Sequence, residues 1–566
     1  MSTARLVGGL LLVFAVPGQQ RPDNPTEAIK IDQVGYLPGA PKLAMVAGKA
    51  SPSEFFVRRA SDGTVAYRGR LSEAAADPDS GDSVQTAEFT ALGEQGRYYL
   101  DVPGVGRSWN FTISRDIYDR AYYLATRAFY GMRCGTAVDL GAEFPGYRHP
   151  ACHLVGAYHA SSGKTGAVNN PGGWHDAGDY GRYVVNSGIT TGTLLWAWEL
   201  FGKKIGGISL SIPESGNGTP DILNEVRWNL DWMLSMQDND GGAWHKQTSE
   251  NFPGFVSPEK DDSTSYVIGT GRAPYKSSCA TGDLAAVAAI AARVYRQYDT
   301  QYADKCLLAS RRAWTWLERN PNVVFRNPPG VLTGEYGDSN CADERLWAAA
   351  ELWRTTREAT YERYFLAHVA DYRDALHRPR PESWAAVAPM ALWTYFLGGG
   401  SNGRLREEVR ASADEIVARG ARNPYRHTLA AVDYVWGSNG VAADYGVALL
   451  IANALHPDRR YVEAALENLH YLLGRNTFSL SWVSQLGEHS FQHLHHRPSG
   501  ANGGRPWPGL MAGGPNRNRQ DPVLKALPDL PPARLYVDDQ ASYASNEVAI
   551  NWNASLVFLL AGVMCQ

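Results

Sequence analysis

Two hydrophobic rhythms divide the chain. From residue 27 to residue 114 the apolar positions come in short β-prone runs: "IKIDQVGY", "KLAMVAG", "EFFVRRA", "TVAYRGRL", "SVQTAEFTAL", "GRYYLDVPG" and "RSWNFTI". Turn signals such as "SDG" and "PDSGD" separate them. Seven short strands with a turn about every ten residues predict a small immunoglobulin-like β-sandwich. From residue 115 to residue 566 the rhythm becomes helical. Segments such as "DRAYYLATRAFYGMRCG", "GDLAAVAAIAARVYRQY" and "RYVEAALENLHYLLG" repeat apolar residues at i, i+3 and i+4, and about twelve of them follow one another. In "PDILNEVRWNLDWMLSMQ" the stripe is Ile222, Leu223, Val226, Leu230, Met233 and Leu234. Thr219 can cap that helix, Pro220 suits its first turn, and Asp221 favours its positive end. Long Gly, Pro and Trp loops between such helices suggest pairs closed into a ring. The pattern alone does not separate a ring from an irregular bundle, and no tandem solenoid period is visible.

Composition narrows the function classes. The chain has 566 residues, 44% hydrophobic and 20% charged, with a net charge of −4. That suits a globular protein with a large core and offers no basic footprint for nucleic acid. The 17 tryptophans and 29 tyrosines serve either as core filling or as flat, low-entropy platforms for sugar rings. At the N-terminus Arg5 precedes an apolar run from Leu6 to Val16, too short to span a bilayer. Residues 1–26 read as a secretory leader and linker, with cleavage near Gly18, so the protein is expected outside the cell. No later run is long enough for a membrane span.

The stretch "GGWHDAGDYGRY" (172–183) sets Asp176 and Asp179 three residues apart in a glycine-rich loop. Two close carboxylates repel and raise each other's pKa. Such a pair serves a metal, chemistry or a local Asx turn. Near the C-terminus, "YVDDQASYASNEVAINWNA" (536–554) puts Glu547 at the start of an apolar helix, where a glutamate ordinarily compensates the helix dipole. Six cysteines make no disulfide framework, and Cys279, Cys306, Cys341 and Cys565 read as unpaired thiols.

These two blocks, with a third, "SWVSQLGEHSFQHLHHR" (481–497), resemble glycoside hydrolase family nine, the inverting cellulases. The third block departs from the family pattern at His489 and keeps His495, His496 and Arg497. "YVWGSN" (434–439) and "YLLGRN" (471–476) are similar to family segments. "IKIDQVGYLP" resembles the immunoglobulin-like module that precedes the catalytic domain in one branch. The resemblance implies a six-hairpin α/α barrel over residues 115–566, behind the sandwich of residues 27–114. It assigns the base to Asp179, water-holding to Asp176 and the acid to Glu547. His495, Arg497 and Tyr543 become candidate substrate ligands. Trp436 becomes a stacking platform, with plain core as the alternative.

Metal sites are expected in two places. Cys134, Cys152 and His153 lie within 20 residues of one another, and two thiolates with two imidazoles satisfy a structural zinc, a site known in the branch this chain resembles. His175 is preferred to His159 as fourth ligand, and a Cys134–Cys152 disulfide is the alternative. Asp338, Asp343 and Glu344, in the acidic loop "TGEYGDSNCADERLW", suit calcium; helix capping by Asp343 competes.

The expected activity is an endo-β-1,4-glucanase acting as a monomer. An exo-acting glucosidase or glucosaminidase is the nearest alternative, and the insert of residues 497–532 could wall one end of the cleft accordingly. A non-catalytic carbohydrate-binding protein is the third reading, disfavoured because binding alone needs no acid and base. No cellulose-binding module follows the last helix, so soluble or amorphous glucan is the expected polymer.

Overall fold

The computed structural model describes residues 24–48, 52–372 and 381–565. The leader expected over residues 1–26 lies, up to residue 23, outside the described residues.

The β-prone region forms ten strands rather than seven: the first and last runs each divide in two, and Ala75–Asp77 adds a strand between the predicted runs. They are β1 (Ile29–Lys30), β2 (Gly35–Tyr36), β3 (Leu43–Ala47), β4 (Glu54–Arg59), β5 (Val65–Arg70), β6 (Ala75–Asp77), β7 (Asp82–Glu88), β8 (Gly96–Val102), β9 (Gly106–Arg107) and β10 (Phe111–Ile113). One sheet runs β1-β3-β7-β6; the other runs β2-β10-β8-β4-β5, with β9 on β8. Alternation decides the inward face: Tyr98, Leu100 and Val102 of β8 are buried and meet Phe55, Val57, Phe111 and Ile113 in one core. Gly35 (φ 141°) must be glycine, since a Cβ there would lie 1.8 Å from the Thr112 carbonyl oxygen.

Twelve helices of ten or more residues follow among the described residues. Six form an inner ring: α2 (Val184–Ile205), α4 (Ser278–Val294), α6 (Ala342–Thr356), α8 (Ala388–Leu397), α10 (Ser438–Leu455) and α15 (Ile550–Val563). Each packs on the next, and α15 closes back on α2. The outer six are α1 (Asp119–Gly131), α3 (Asp221–Ser235), α5 (Thr300–Arg319), α7 (Ala359–His368), α9 (Gly403–Arg422) and α11 (Arg459–Leu472). The division follows sequence. Inner helices such as "INWNASLVFLLAGV" are buried on nearly every face. Outer helices such as "RRYVEAALENLHYL" bury one stripe and leave the other in water. The result is an α/α barrel. Among the described residues no helix is long and apolar enough to cross a membrane.

Two local expectations are corrected. Thr219 does not cap α3; Pro220 holds the cap position without a side-chain bond. Asp221 instead turns its carboxylate onto the Leu210 amide (2.7 Å), bracing the preceding loop. Cys279 and Cys341 are not free thiols but form a disulfide across 62 residues. They stand at the N-terminal ends of neighbouring helices α4 and α6, a proximity that only ring closure creates.

Loops gather at one end of the barrel. A hairpin of β11 (Val138–Asp139) and β12 (Arg148–His149) leads into a five-stranded sheet there. Its strands are β13 (Gly156–Tyr158), β14 (Ala167–Val168), β15 (Arg182–Tyr183), β16 (Lys246–Thr248) and β17 (Ser265–Ile268), in the order β14-β13-β17-β16-β15. The chain crosses this sheet directly after the Asp176/Asp179 loop.

Candidate active site

Glycine-rich residues 172–183 fold into a loop that closes on itself through Asp176 N–H to the Gly181 carbonyl (2.9 Å). Gly178 is the tightest point. A Cβ there would lie 2.3 Å from the His495 carbonyl oxygen and 3.0 Å from Glu547 Oε1. The glycine therefore lets three distant segments touch. Gly178 N–H donates to Glu547 Oε1 (3.2 Å) and its carbonyl accepts from Arg497 N–H (3.0 Å) and Arg497 Nη1 (2.8 Å).

Glu547 is not in a first helical turn. It lies in extended backbone (φ −80°, ψ 165°) between a short helical turn, Tyr543–Asn546, and α15. Residues His495 and Glu547 form a parallel bridge, anchored by His495 N–H to Asn546 O (2.9 Å). Dipole compensation does not explain this glutamate. Burial pushes its carboxyl well above the usual range, and the charge of Asp179 adds to that.

Each aspartate has its own partners. Asp176 Oδ1 accepts from Asn186 Nδ2 (2.7 Å) and Oδ2 from the Tyr336 hydroxyl (2.6 Å). Burial, followed by the charge of Asp179, raises Asp176 to about 7. Asp179 Oδ2 accepts from Gly181 N–H (3.1 Å) and the Tyr183 hydroxyl (3.2 Å). Neither carboxylate caps a helix. Asp176, Asp179 and Glu547 thus meet in a buried, largely anionic centre where one carboxyl is biased to stay protonated. That combination can hold a water on one side of a bond and deliver a proton on the other.

Rings line the approach. His495 packs edge-on against Phe255 (5.1 Å) and Tyr543 (5.9 Å), and Tyr543 lies 5.6 Å from Trp436. Trp436 is 38% exposed and Phe252 48%, so neither is plain core. His495 Nδ1 donates to the Gln540 carbonyl (2.6 Å). In the neutral ring this fixes the tautomer and leaves Nε2 an acceptor. Arg497 uses Nε on the Pro253 carbonyl (2.8 Å) and Nη1 on Gly178, so much of its binding capacity braces the loops.

Cys134, Cys152, His153 and His175 converge, with one ligand atom of each within 4.8 Å of the others. Both cysteines are free and buried, so the alternative disulfide is absent. Cys152 Sγ is 3.8 Å from His175 Nε2. His153 Nε2 is held by Asp261 (3.1 Å), and its buried Nδ1 has no partner. A carboxylate behind a histidine whose other nitrogen is bare is the usual outer shell of a metal ligand. His159 stands apart, its Nδ1 on Ser161. The donor set fits a tetrahedral metal. It would tie Cys134, bonded through its N–H to Gly173 O (2.9 Å), to His175 beside Asp176.

The acidic loop is less complete. Asp343 Oδ2 accepts from Val387 N–H (2.8 Å), whereas both Glu344 oxygens and one Asp338 oxygen are buried without a partner. Among the described residues, Asp338, Asp343 and Glu344 do not form a trio of oxygens within ligand distance of each other. Asp283, on α4, joins them unforeseen: both its oxygens are buried and unpaired, and its carboxyl and that of Glu344 are pushed well up by burial.

Sequence reasoning missed Tyr183, Asn186 and Tyr336. The first two lie four and seven residues after Asp179, within reach of a local search. Tyr336 comes from a loop 160 residues from Asp176, and no local signal marks it.

The glycosyl hydrolase family 9 profile matches residues 118–560. The chain belongs to glycosyl hydrolase family 9. Residues 24–107 match the cellulase N-terminal ig-like domain. Among curated relatives, Endoglucanase D of Acetivibrio thermocellus is 38% identical over 544 residues, covering 94% of this chain and 83% of the relative. A cellodextrinase of Butyrivibrio fibrisolvens is 34% identical over 558 residues, covering 95% of this chain and 99% of the relative. Among solved structures, a Zn-binding triple mutant of GH family 9 endoglucanase J30 superposes with TM-score 0.86 at 36% identity. That match covers 93% of this chain and 99% of the other. The barrel and the sandwich are thus those of family 9 relatives.

Proposed function

We propose that this family 9 protein is an inverting endo-β-1,4-glucanase that hydrolyses soluble or amorphous cellulose and related β-glucans. The observation that carries the reading is the buried trio. Glu547, biased to stay protonated, meets Asp179 and Asp176 across Gly178. In this reading Glu547 protonates the leaving glycosidic oxygen. Asp179 takes the proton of a water that attacks the anomeric carbon from the opposite face, and Asp176 orients that water. The acid and base carboxyls then stand roughly 6.5–9.5 Å apart, the gap that admits a water. His495, Arg497, Tyr543 and Trp436 line the sugar path, with Trp436 as stacking platform. Residues 27–114 and 115–566 are the two domains of this proposal.

One relative's printed name, endoglucanase, favours endo action, and the other, cellodextrinase, favours a second reading, hydrolysis of short cellodextrins. A fall in viscosity that outpaces reducing-end release supports endo action; the reverse supports the second reading. We assign a structural zinc to Cys134, Cys152, His153 and His175, on the strength of the bare His153 Nδ1. Bound there, the ion would cross-link the loop carrying Asp176 without entering the reaction. Calcium beside Glu344 is supported by that residue's unpaired oxygens. The apolar run from Leu6 to Val16 supports export, and the monomer remains the working stoichiometry.

The mechanism is tested by NMR in the first minutes of cello-oligosaccharide hydrolysis. The α-anomer should appear first, and Asp179→Asn should lose several orders of magnitude in rate. A β-anomer first, or a trapped glycosyl ester, rejects the inverting assignment.

A further inference from the structure

One buried cation near the trio has no role in the chemistry above. Lys246, on β16, is fully buried and pairs in register with Tyr183 of β15, whose hydroxyl donates to Asp179. Among the described residues its ammonium has no carboxylate in hydrogen-bond contact. It donates instead to Asn327 Oδ1 (2.7 Å), the Gly334 carbonyl (2.7 Å), Thr333 Oγ1 (3.1 Å) and the Thr333 carbonyl (3.3 Å). All four acceptors lie in the loop that delivers Tyr336 to Asp176.

That loop needs holding. Tyr336 sits at φ 46°, a left-handed conformation that a bulky residue adopts only when its surroundings impose it. A Cβ on Gly334 would come 3.2 Å from the Tyr183 hydroxyl, so the loop backbone rests directly on the residue that contacts Asp179. The neighbour of Lys246 acts in the same sense. His245 Nε2 donates to the Glu335 carbonyl (3.0 Å), and its ring stacks on Phe325 at 3.9 Å and 7°. Neutral acceptors alone do not require a lysine, because a buried ammonium carries a large desolvation cost. Burial lowers the Lys246 ammonium to about 7, and the nearby acidic charges that oppose this are Asp179 first and Glu335 second.

We propose that Lys246 is a positioning residue of the hydrolytic site: it clamps loop 327–336 so that Tyr336 stays on Asp176, and it stands beside Tyr183, which donates to Asp179. The inference rests on the hydrolytic reading above and deepens it. Lys246 does not touch the reacting atoms; it acts through Tyr336 and Tyr183.

The test uses the full-length chain and cellotetraose. Lys246→Met should lower kcat about 100-fold while KM and the affinity for a non-hydrolysed oligosaccharide change less than threefold. Lys246→Gln, which keeps a donor and removes the charge, should recover part of the loss, and Asn327→Ala should move kcat in the same direction from the loop side. Combined with Tyr336→Phe, Lys246→Met should cost much less than the product of the two separate losses, since both remove one arrangement. If Lys246→Met does not fold, Lys246→Gln and Asn327→Ala carry the test. Wild-type kcat in a folded Lys246 variant, equal losses in kcat and binding, or fully multiplicative effects would overturn the proposal. These outcomes are distinct from failure of the hydrolytic reading, which wild-type protein alone reveals by its first anomer.

Discussion

Burial, and then the charge of Asp179, raise the Glu547 carboxyl well above its usual range, and both its proposed chemistry and a stability effect follow. Glu547→Gln cannot donate a proton, so hydrolysis of unactivated glucan should fall by about 10²–10⁴-fold while binding persists; aryl glycosides with acidic leaving groups should suffer less. The sign of the stability effect is fixed by the raised pKa. Folding favours the protonated form, so this contribution is fully present below the unfolded value of about 4.3 and is lost as pH rises through the higher folded value. The glutamine variant has no such proton to lose. Its melting temperature should therefore gain on the wild type as pH rises from about 4 to 8. A constant difference across that range would contradict the buried-acid assignment. Asp176 and Asp179 were legible as a pair because they share one glycine-rich block. Their environment was not. Tyr336 reaches Asp176 only because the barrel folds its loop back over β15 and β16.

At the scale of elements, the metal cluster joins the turn after α1 to the Asp176 loop. Arg133 pairs with Trp174 in a bridge there, and His175 N–H donates to the Met132 carbonyl (2.7 Å). Purified protein prepared without chelator should contain about one zinc per chain, because four soft or borderline donors at this spacing suit that ion. Cys152→Ser should lose the metal and lower the melting temperature. Metal-free protein with unchanged stability would remove the zinc assignment. The convergence of Cys134, Cys152, His153 and His175 was readable in part, since three of them lie within 20 residues. The Cys279–Cys341 disulfide was not, as its partners meet only when α4 and α6 become neighbours in the ring. Asp283 was hidden for the same reason, inside the apolar run of α4.

At the scale of the molecule, the sandwich is fastened to the barrel beside the segment that carries His495. The Gln33 side chain makes four bonds across the interface: Nε2 to Ser479 O (3.0 Å) and His489 O (3.1 Å), and Oε1 from Glu488 N–H (3.0 Å) and His489 N–H (2.7 Å). His489, the residue at which the third block departs from the family pattern, stacks on Trp109 at 5.0 Å. Asp32 adds a buried bond to His470 Nδ1 (2.8 Å). Gln33→Ala leaves buried polar groups of residues 479–489 unpaired and should cost about 1–3 kcal/mol. Denaturant unfolding should show it, with a smaller loss of activity through the displaced third block. An unchanged midpoint would mean that the interface adds nothing to stability.

By itself the sequence determined the order of a sandwich and a helical domain, because strand and helix periods of 2 and 3.6 residues are local properties of the chain. It also marked Asp176, Asp179, Glu547 and the Cys134, Cys152, His153 and His175 set as candidates, because short blocks carry them and the family resemblance rests on those blocks. The tertiary structure alone decided which helices become neighbours, and it alone brought Glu547 to Gly178 and Tyr336 to Asp176. Those contacts join segments up to 369 residues apart. Their existence depends on ring closure and close packing of the whole barrel, to which no local pattern responds.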